Sequence, residues 1–257
     1  MRARQTLTQI PNVRHIRNIF RDVAKRYDIM NDAMSLGMHR AWKNQMIDML
    51  CPIKKGGVLL DLAGGTGDLS IKFVRRYMRQ YTNSKTFWPT SAYICDISRE
   101  MLAGCLDKTR CDSKNQKFPI PIYPICGNAA SLPFSDNSFD YCTVGFGIRN
   151  MENIPGILKE IMRVLKPGGR FLCMEFINPK SSEMKIKILY DVYSFLVIPA
   201  LGKLIANNVS AYKYLVSSIR LFPVHDKFIG MIKDSGFGDI NAKILSLGIV
   251  GIYSGHK

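Results

Sequence analysis

Short apolar runs and amphipathic stretches alternate along most of this chain, and the two periodicities place its elements. Runs rich in β-branched, aromatic and other apolar residues predict strands near 57–62, 92–96, 121–126, 139–145 and 170–176. The segments between them carry apolar residues at helical spacing. Ile154 to Leu165 is the clearest, with Ile157, Leu158, Ile161, Val164 and Leu165 on one stripe and a stop at Lys166-Pro167-Gly168-Gly169. Such alternation predicts an α/β fold with a mostly parallel sheet and helices on both faces. Two further strands, near 239–246 and 248–255, are divided only by a turn at Leu247-Gly248 and are expected to be antiparallel neighbours.

Two segments depart from the alternation. Before the first strand, residues 13–30 set Val13, Ile16, Phe20, Val23 and Ala24 on one stripe, and Arg40 to Leu50 reads as a second helix ending at Pro52. Residues 1–50 are therefore expected to form an N-terminal helical cap. From 181 to 235 the pattern is helical without a strand, which reads as a lid inserted before the last two strands. No repeat or low-complexity tract interrupts the chain, so residues 1–257 are expected to form a single domain.

Charge changes this picture most. Thirty-six Lys and Arg against 20 Asp and Glu leave +16, which favours anionic partners such as acidic lipid headgroups or nucleic acid, or else reflects a general lysine bias. A hydrophobic content of 47% with 22% charged residues is ordinary for a soluble protein. The longest apolar stretch, 193–202, is about half the ~20 residues a bilayer requires, so no transmembrane helix is expected. Seven cysteines, scattered and without a C-x-x-C pair, read as reduced thiols of a cytoplasmic protein. The Arg-rich first 26 residues contain no apolar core of a secretory signal.

The densest chemistry lies in Val58-Leu59-Leu60-Asp61-Leu62-Ala63-Gly64-Gly65-Thr66-Gly67-Asp68, where an apolar strand empties into a glycine loop that opens a helix. Gly64, Gly65 and Gly67 let the backbone turn sharply and approach a ligand closely. The spacing is not G-x-G-x-x-G, and the next acid at a strand end, Asp96, stands well past the ~20-residue interval of a dinucleotide fingerprint. A carboxylate there still fits a ribose diol, since its oxygens accept from both hydroxyls. An acid-bearing loop without a pyrophosphate cradle points to S-adenosylmethionine, a cationic ligand that Asp61 and Asp68 would favour electrostatically; a purely structural turn is the alternative. No cluster with metal-ligand spacing is visible.

Four blocks in order then carry a family resemblance: Tyr27-Asp28-Ile29-Met30-Asn31-Asp32 continuing to Ser35, His39 and Trp42; Gly127-Asn128-Ala129 with Leu132-Pro133-Phe134; Phe146-Gly147-Ile148-Arg149-Asn150; and Arg163 to Arg170 continuing through Glu175-Phe176. From about Val13 onward the chain resembles the UbiE-type ubiquinone/menaquinone C-methyltransferases of the class I S-adenosylmethionine-dependent fold. The resemblance implies a Rossmann-like, seven-stranded, mostly parallel sheet with an antiparallel last strand. It also implies cofactor contacts from Thr66, Asp96, Asn128 and Ala129, although Asn128 serves equally well as a turn cap. Gly145 and Ile177 stand where many members carry serine.

The implied reaction is C-methylation of a reduced polyprenyl quinone precursor, with the alternatives of RNA methylation or a non-catalytic scaffold of a quinone-biosynthesis complex. Arg149 and Asn150, following the fourth strand, are the first candidates for substrate contact, Arg149 as stabiliser of a phenolate or as half of a salt bridge. Tyr27, Asp28 and His39 are candidates for the base, His39 having a suitable unperturbed pKa but also the character of a turn residue. Tyr190, Tyr193, Phe195, Leu196, Val197 and Ile198 offer cover for a prenyl tail or a core for the lid. Lys180, Lys185 and Lys187 with the N-terminal arginines suit peripheral contact with an anionic membrane at the inner face of the cytoplasmic membrane, each basic residue contributing about 1 kcal/mol. No nucleic-acid module accompanies them, and the sequence leaves a homodimer open.

Overall fold

The computed structural model describes residues 31–32, 35–81, 90–113, 120–178 and 209–257. Along them run α1 (Met38–Asp48), β1 (Val58–Leu62), α2 (Asp68–Tyr81), β2 (Ser91–Asp96), α3 (Arg99–Ser113), β3 (Ile122–Cys126), β4 (Phe139–Gly145), α4 (Ile154–Val164), β5 (Leu165–Phe176), α5 (Val209–Leu221), α6 (His225–Asp234), β6 (Gly238–Leu245) and β7 (Val250–His256). The seven strands form one sheet in the order β3-β2-β1-β4-β5-β7-β6. Pairings from β3 through β5 are parallel, and β7 runs antiparallel to both β5 and β6. The expected fold is present.

Strand period places the two cores. Leu60, Leu62, Cys142, Val144, Phe171 and Cys173 face one side, where α4 contributes Ile157, Leu158 and Ile161. Leu59, Tyr141, Leu172 and Met174 face the other, against Trp42 and Met46 of α1 and Phe73 and Val74 of α2. Six of the seven β4 residues are buried, as a central strand covered on both faces requires. Asn153 caps α4 by accepting from the Gly156 amide (3.0 Å), and Pro155 occupies its first turn, where no amide is needed.

Two expectations need adjustment. β5 starts at Leu165, five residues before the expected strand; Lys166–Gly169 bulge from the ladder, with Gly168 at φ 75° and its amide donating to the Lys257 carbonyl. The segment expected as a lid divides: α6 lies in the helical layer, packed on α4 and β6, with Phe228 and Ile232 fully buried in the main core. Residues 179–208, which hold the proposed tail cover and Lys180, Lys185 and Lys187, lie outside the described residues, as does the helix expected over 13–30. Strand order reverses between β1 and β4, and a crevice opens at their carboxyl ends.

Candidate functional site

Three glycines shape the loop beneath the crevice, each for a different reason. A Cβ on Gly64 would lie 2.8 Å from the Asp61 carboxylate and from Ile94, and Gly65 holds φ 54°. Both line the crevice, with Thr66 and Asp68 after them. Gly67 does not line it. Its φ is 80°, and a Cβ there would meet Cys105 Sγ at 2.6 Å and Ile94 at 2.8 Å, so this glycine seats α2 against β2 and α3 rather than touching a ligand.

The two strand-end acids divide the work. Asp96 lines the crevice, its Oδ2 accepting from the Gly65 amide (2.9 Å) and its Oδ1 from the Ser98 amide (2.9 Å). Burial pushes its pKa up against those amides. Asp61 is fully buried and turned away from the crevice. Its Oδ2 takes the amide and hydroxyl of Ser70, and its Oδ1 takes the Thr143 hydroxyl (3.0 Å). Burial raises it to about 6 despite these donors. Asp61 therefore ties β1, β4 and α2 together beneath the loop, which corrects its assignment as a direct ligand contact.

Across the sheet, Asn128 and Ala129 follow β3 and line the crevice. Asn128 Oδ1 accepts from the Ala130 amide (3.0 Å), so the turn-cap use is realised, and its amide NH₂ is left to serve a ligand. Gly145 also lines the crevice; a Cβ there would lie 2.8 Å from Leu69, so the glycine accommodates that leucine.

Beyond β4, Asn150 lines the crevice, while Arg149 is buried behind it. Arg149 Nη1 donates to Glu175 Oε1 (2.7 Å) and to the Phe146 carbonyl, and its guanidinium lies over the Phe176 ring (5.6 Å). Burial pushes the Glu175 carboxyl up, and Arg149 pulls against it. The salt-bridge reading of Arg149 is thus realised, yet its Nε is buried with no hydrogen-bond partner, a donor still to be satisfied. The Tyr214 hydroxyl of α5 donates to Asn150 Oδ1 (2.8 Å), leaving the NH₂ of Asn150 for another acceptor. Burial raises Tyr214 to about 12, so it remains a donor.

Helix α1 closes the remaining side. Trp42 packs on Phe146 and Phe176 (centroids 6.2 and 6.4 Å) and donates to Ser246 Oγ (2.9 Å), anchoring α1 over the strand ends. His39 is buried beside it but does not line the crevice. Its Nε2 donates to the Asp32 carboxylate (2.8 Å), so Nδ1 carries the open lone pair, which has no partner. Burial lowers its pKa, against the raising pull of Asp32, and keeps the ring neutral. Lys43, one turn on, lines the crevice and pairs with Asp68 (2.8 Å). Tyr27 and Asp28 lie outside the described residues.

Sequence reasoning missed Lys43, Glu175 and Tyr214 as site residues. Glu175 falls within a recognised block and Lys43 adjoins one, whereas nothing local marks Tyr214. Among the described residues no group of three or more metal-ligating side chains occurs, and no helix is long and apolar enough to cross a membrane.

Residues 8–257 match the model of the ubiE/COQ5 methyltransferase family. The chain belongs to that family. A Rickettsia prowazekii relative, ubiquinone/menaquinone biosynthesis C-methyltransferase UbiE, is 45% identical over 94% of this chain and 92% of its own. The mouse mitochondrial 2-methoxy-6-polyprenyl-1,4-benzoquinol methylase is 43% identical over 93% of this chain and 78% of its own. The fold is shared with a SAM-dependent methyltransferase from Aquifex aeolicus, at TM-score 0.53 and 12% identity over 83% of this chain and 88% of that one. It is shared too with Haemonchus contortus phosphoethanolamine N-methyltransferase 2, solved with S-adenosyl-L-methionine, at TM-score 0.56 and 16% identity over 84% of this chain and 52% of that one. This methyltransferase lines its crevice with the glycine loop and with residues of two of the blocks, Gly127-Asn128-Ala129 and Phe146, Gly147 and Asn150.

Proposed function

We propose that this methyltransferase transfers a methyl group from S-adenosylmethionine to a ring carbon of a reduced polyprenyl quinone precursor. The candidate acceptors are a 2-polyprenyl-6-methoxy-1,4-benzoquinol and a demethylmenaquinol. The observation that carries the reading is Asp96, a half-buried carboxylate fixed by the Gly65 and Ser98 amides inside a glycine-floored crevice. Its remaining lone pairs suit a ribose diol, and the bare backbone of Gly64 and Gly65 gives an adenosyl ligand room. Asn128 and Ala129 suit the adenine. When bound, the donor supplies an electrophilic methyl on a positively charged sulfur.

The residues beyond β4 supply the rest. A ring carbon is a good nucleophile when the neighbouring hydroxyl has lost its proton, so the site has to favour a phenolate. Arg149, oriented by Glu175, stabilises that negative charge through the positive field of its guanidinium from behind the crevice wall, and Asn150, held by Tyr214, donates to a substrate oxygen. After C–C bond formation the proton on the methylated carbon leaves and aromaticity returns. Neutral His39 with its open Nδ1 is the described candidate for proton acceptor, acting through a relay because it does not line the crevice; Tyr27 and Asp28 remain candidates of the same role. A prenylated acceptor also implies peripheral contact with a membrane on its cytoplasmic side, and association as a homodimer or within a biosynthetic complex is compatible with that setting.

An anaerobic assay offering both reduced precursors with methyl-labelled cofactor, followed by mass identification of the product, tests the reading. A ring-methylated product from at least one precursor is expected. Cofactor binding with no transfer to either would favour the scaffold alternative instead.

A further inference from the structure

We infer that Leu36 and Leu247 are apolar anchors that dip into an anionic lipid bilayer and seat the crevice edge of the sheet on the membrane. The inference deepens the proposed membrane contact by naming the surface that makes it, and it rests on that reading.

Topology puts both residues at the crevice edge. β7 runs antiparallel to β5, with Val250 opposite Phe176, so the turn Ser246-Leu247-Gly248 ahead of β7 lies at the carboxyl ends of the parallel strands, where the crevice opens. Helix α1 reaches the same turn, because Trp42 donates to Ser246 Oγ (2.9 Å). Met38 precedes Trp42 by one helical turn on the same face, and Leu36 stands just ahead of α1. The N-terminal end of α1 and the β6–β7 turn thus share one rim.

Exposure and backbone single out the two leucines. Leu36 is 81% exposed and Leu247 82%, the highest values among the large apolar side chains described, and Met38 on the same rim is also exposed. Removing such side chains from water is favourable in proportion to the apolar area covered. Both leucines also occupy the left-handed backbone region, at φ 49° and 54°, as does Ser246 at φ 49°. Those positions favour glycine or asparagine, and a leucine is strained there. Neither backbone preference nor water favours a leucine at either place; contact with hydrocarbon does.

Charge selects a lipid surface as the occupant. Beside the rim, α1 and α2 bring Arg40, Lys43 and Arg75 into the field of Lys72, against the carboxylates of Asp32 and Asp68. The cluster keeps an excess of positive charge, and Arg40 and Arg75 are exposed. Anionic headgroups meet that excess while the leucines enter the acyl boundary. A second copy docking through the same patch would bring like charge against like charge. With this edge on the bilayer, a prenylated acceptor reaches the strand ends without its tail crossing water.

Vesicles of phosphatidylcholine with phosphatidylglycerol test the anchors. A Leu36→Asn/Leu247→Asn double variant removes the apolar groups, keeps the charge and suits the left-handed backbone. Its partition onto the vesicles is expected to fall about tenfold or more, with the melting temperature unchanged or raised. In a Leu247→Trp variant the added indole should be quenched by brominated lipids in the same vesicles, which reads insertion directly and carries the test if the asparagine variant fails to fold. Equal partition of wild type and double variant, or an indole that escapes quenching, would overturn the anchors. Loss of a dimer from the double variant in light scattering without vesicles would assign the patch to self-association and overturn them too. Wild-type protein that stays off these vesicles would instead overturn the membrane contact on which the inference rests.

Discussion

Asp61 and Asp96 stand at the carboxyl ends of neighbouring strands, yet one is a tie within the fold and the other faces the crevice. The difference is rotational: in β1 the side chain of Asp61 points beneath α2 to Ser70 and Thr143 and is fully buried. Because the folded pKa of about 6 exceeds the ordinary 3.8, the folded state binds this proton more tightly than the unfolded chain does. Its contribution to stability therefore declines as pH rises from about 4 to about 6 and is level above that. Relative to Asp61→Asn, the wild type should lose up to about 3 kcal/mol across that window, read from urea unfolding at several pH values. Arg149 poses the complementary case. Removing it leaves Glu175 buried without a counter-charge, and Arg149→Ala should cost about 3–5 kcal/mol while sparing cofactor affinity. Pairing Arg149→Met with Glu175→Gln should restore much of the melting temperature but not turnover; turnover that returned with stability would make the arginine purely structural.

Elements explain what the sequence blocks are for. The block from Arg163 to Phe176 resembles a chemical signature, but most of its polar residues hold the scaffold. Arg163 bonds Glu160, Asp136 and the Phe134 carbonyl, and Lys166 pairs with Asp140, which also accepts from Lys54 and the Val58 amide. Its contribution to the site is Glu175, through Arg149. The glycine loop divides similarly, and a pair of substitutions separates its causes. Gly67 and Gly168 share a positive φ, but a Cβ collides with Cys105 and Ile94 at the first and meets open space at the second. Gly67→Ala should therefore cost clearly more than Gly168→Ala, whose penalty is backbone strain of about 1–2 kcal/mol, as compared by thermal unfolding. Strand and helix positions were legible because burial on both faces demands continuous apolar runs. The role of α6 was not, since Phe228 and Ile232 at helical spacing fit a lid and a sheet-covering layer equally well.

For the molecule as a whole, the charge of +16 and an acceptor with a prenyl tail lead to a prediction about surfaces. Co-sedimentation with anionic vesicles should exceed that with neutral ones and should weaken as salt rises over a range that shortens the Debye length; binding insensitive to salt would remove the electrostatic basis for membrane contact. Local pattern determined the strand-helix alternation, the glycine loop, the acid at the end of β2 and the family blocks, because each depends on residues close together in the chain. Only the tertiary structure decided that Asp61 ties strands, that Glu175 orients Arg149, that Tyr214 reaches Asn150 and that Lys43 meets Asp68. Those partners come from separate elements, and which side chains meet depends on strand rotation and helix docking, which packing across the whole sheet sets.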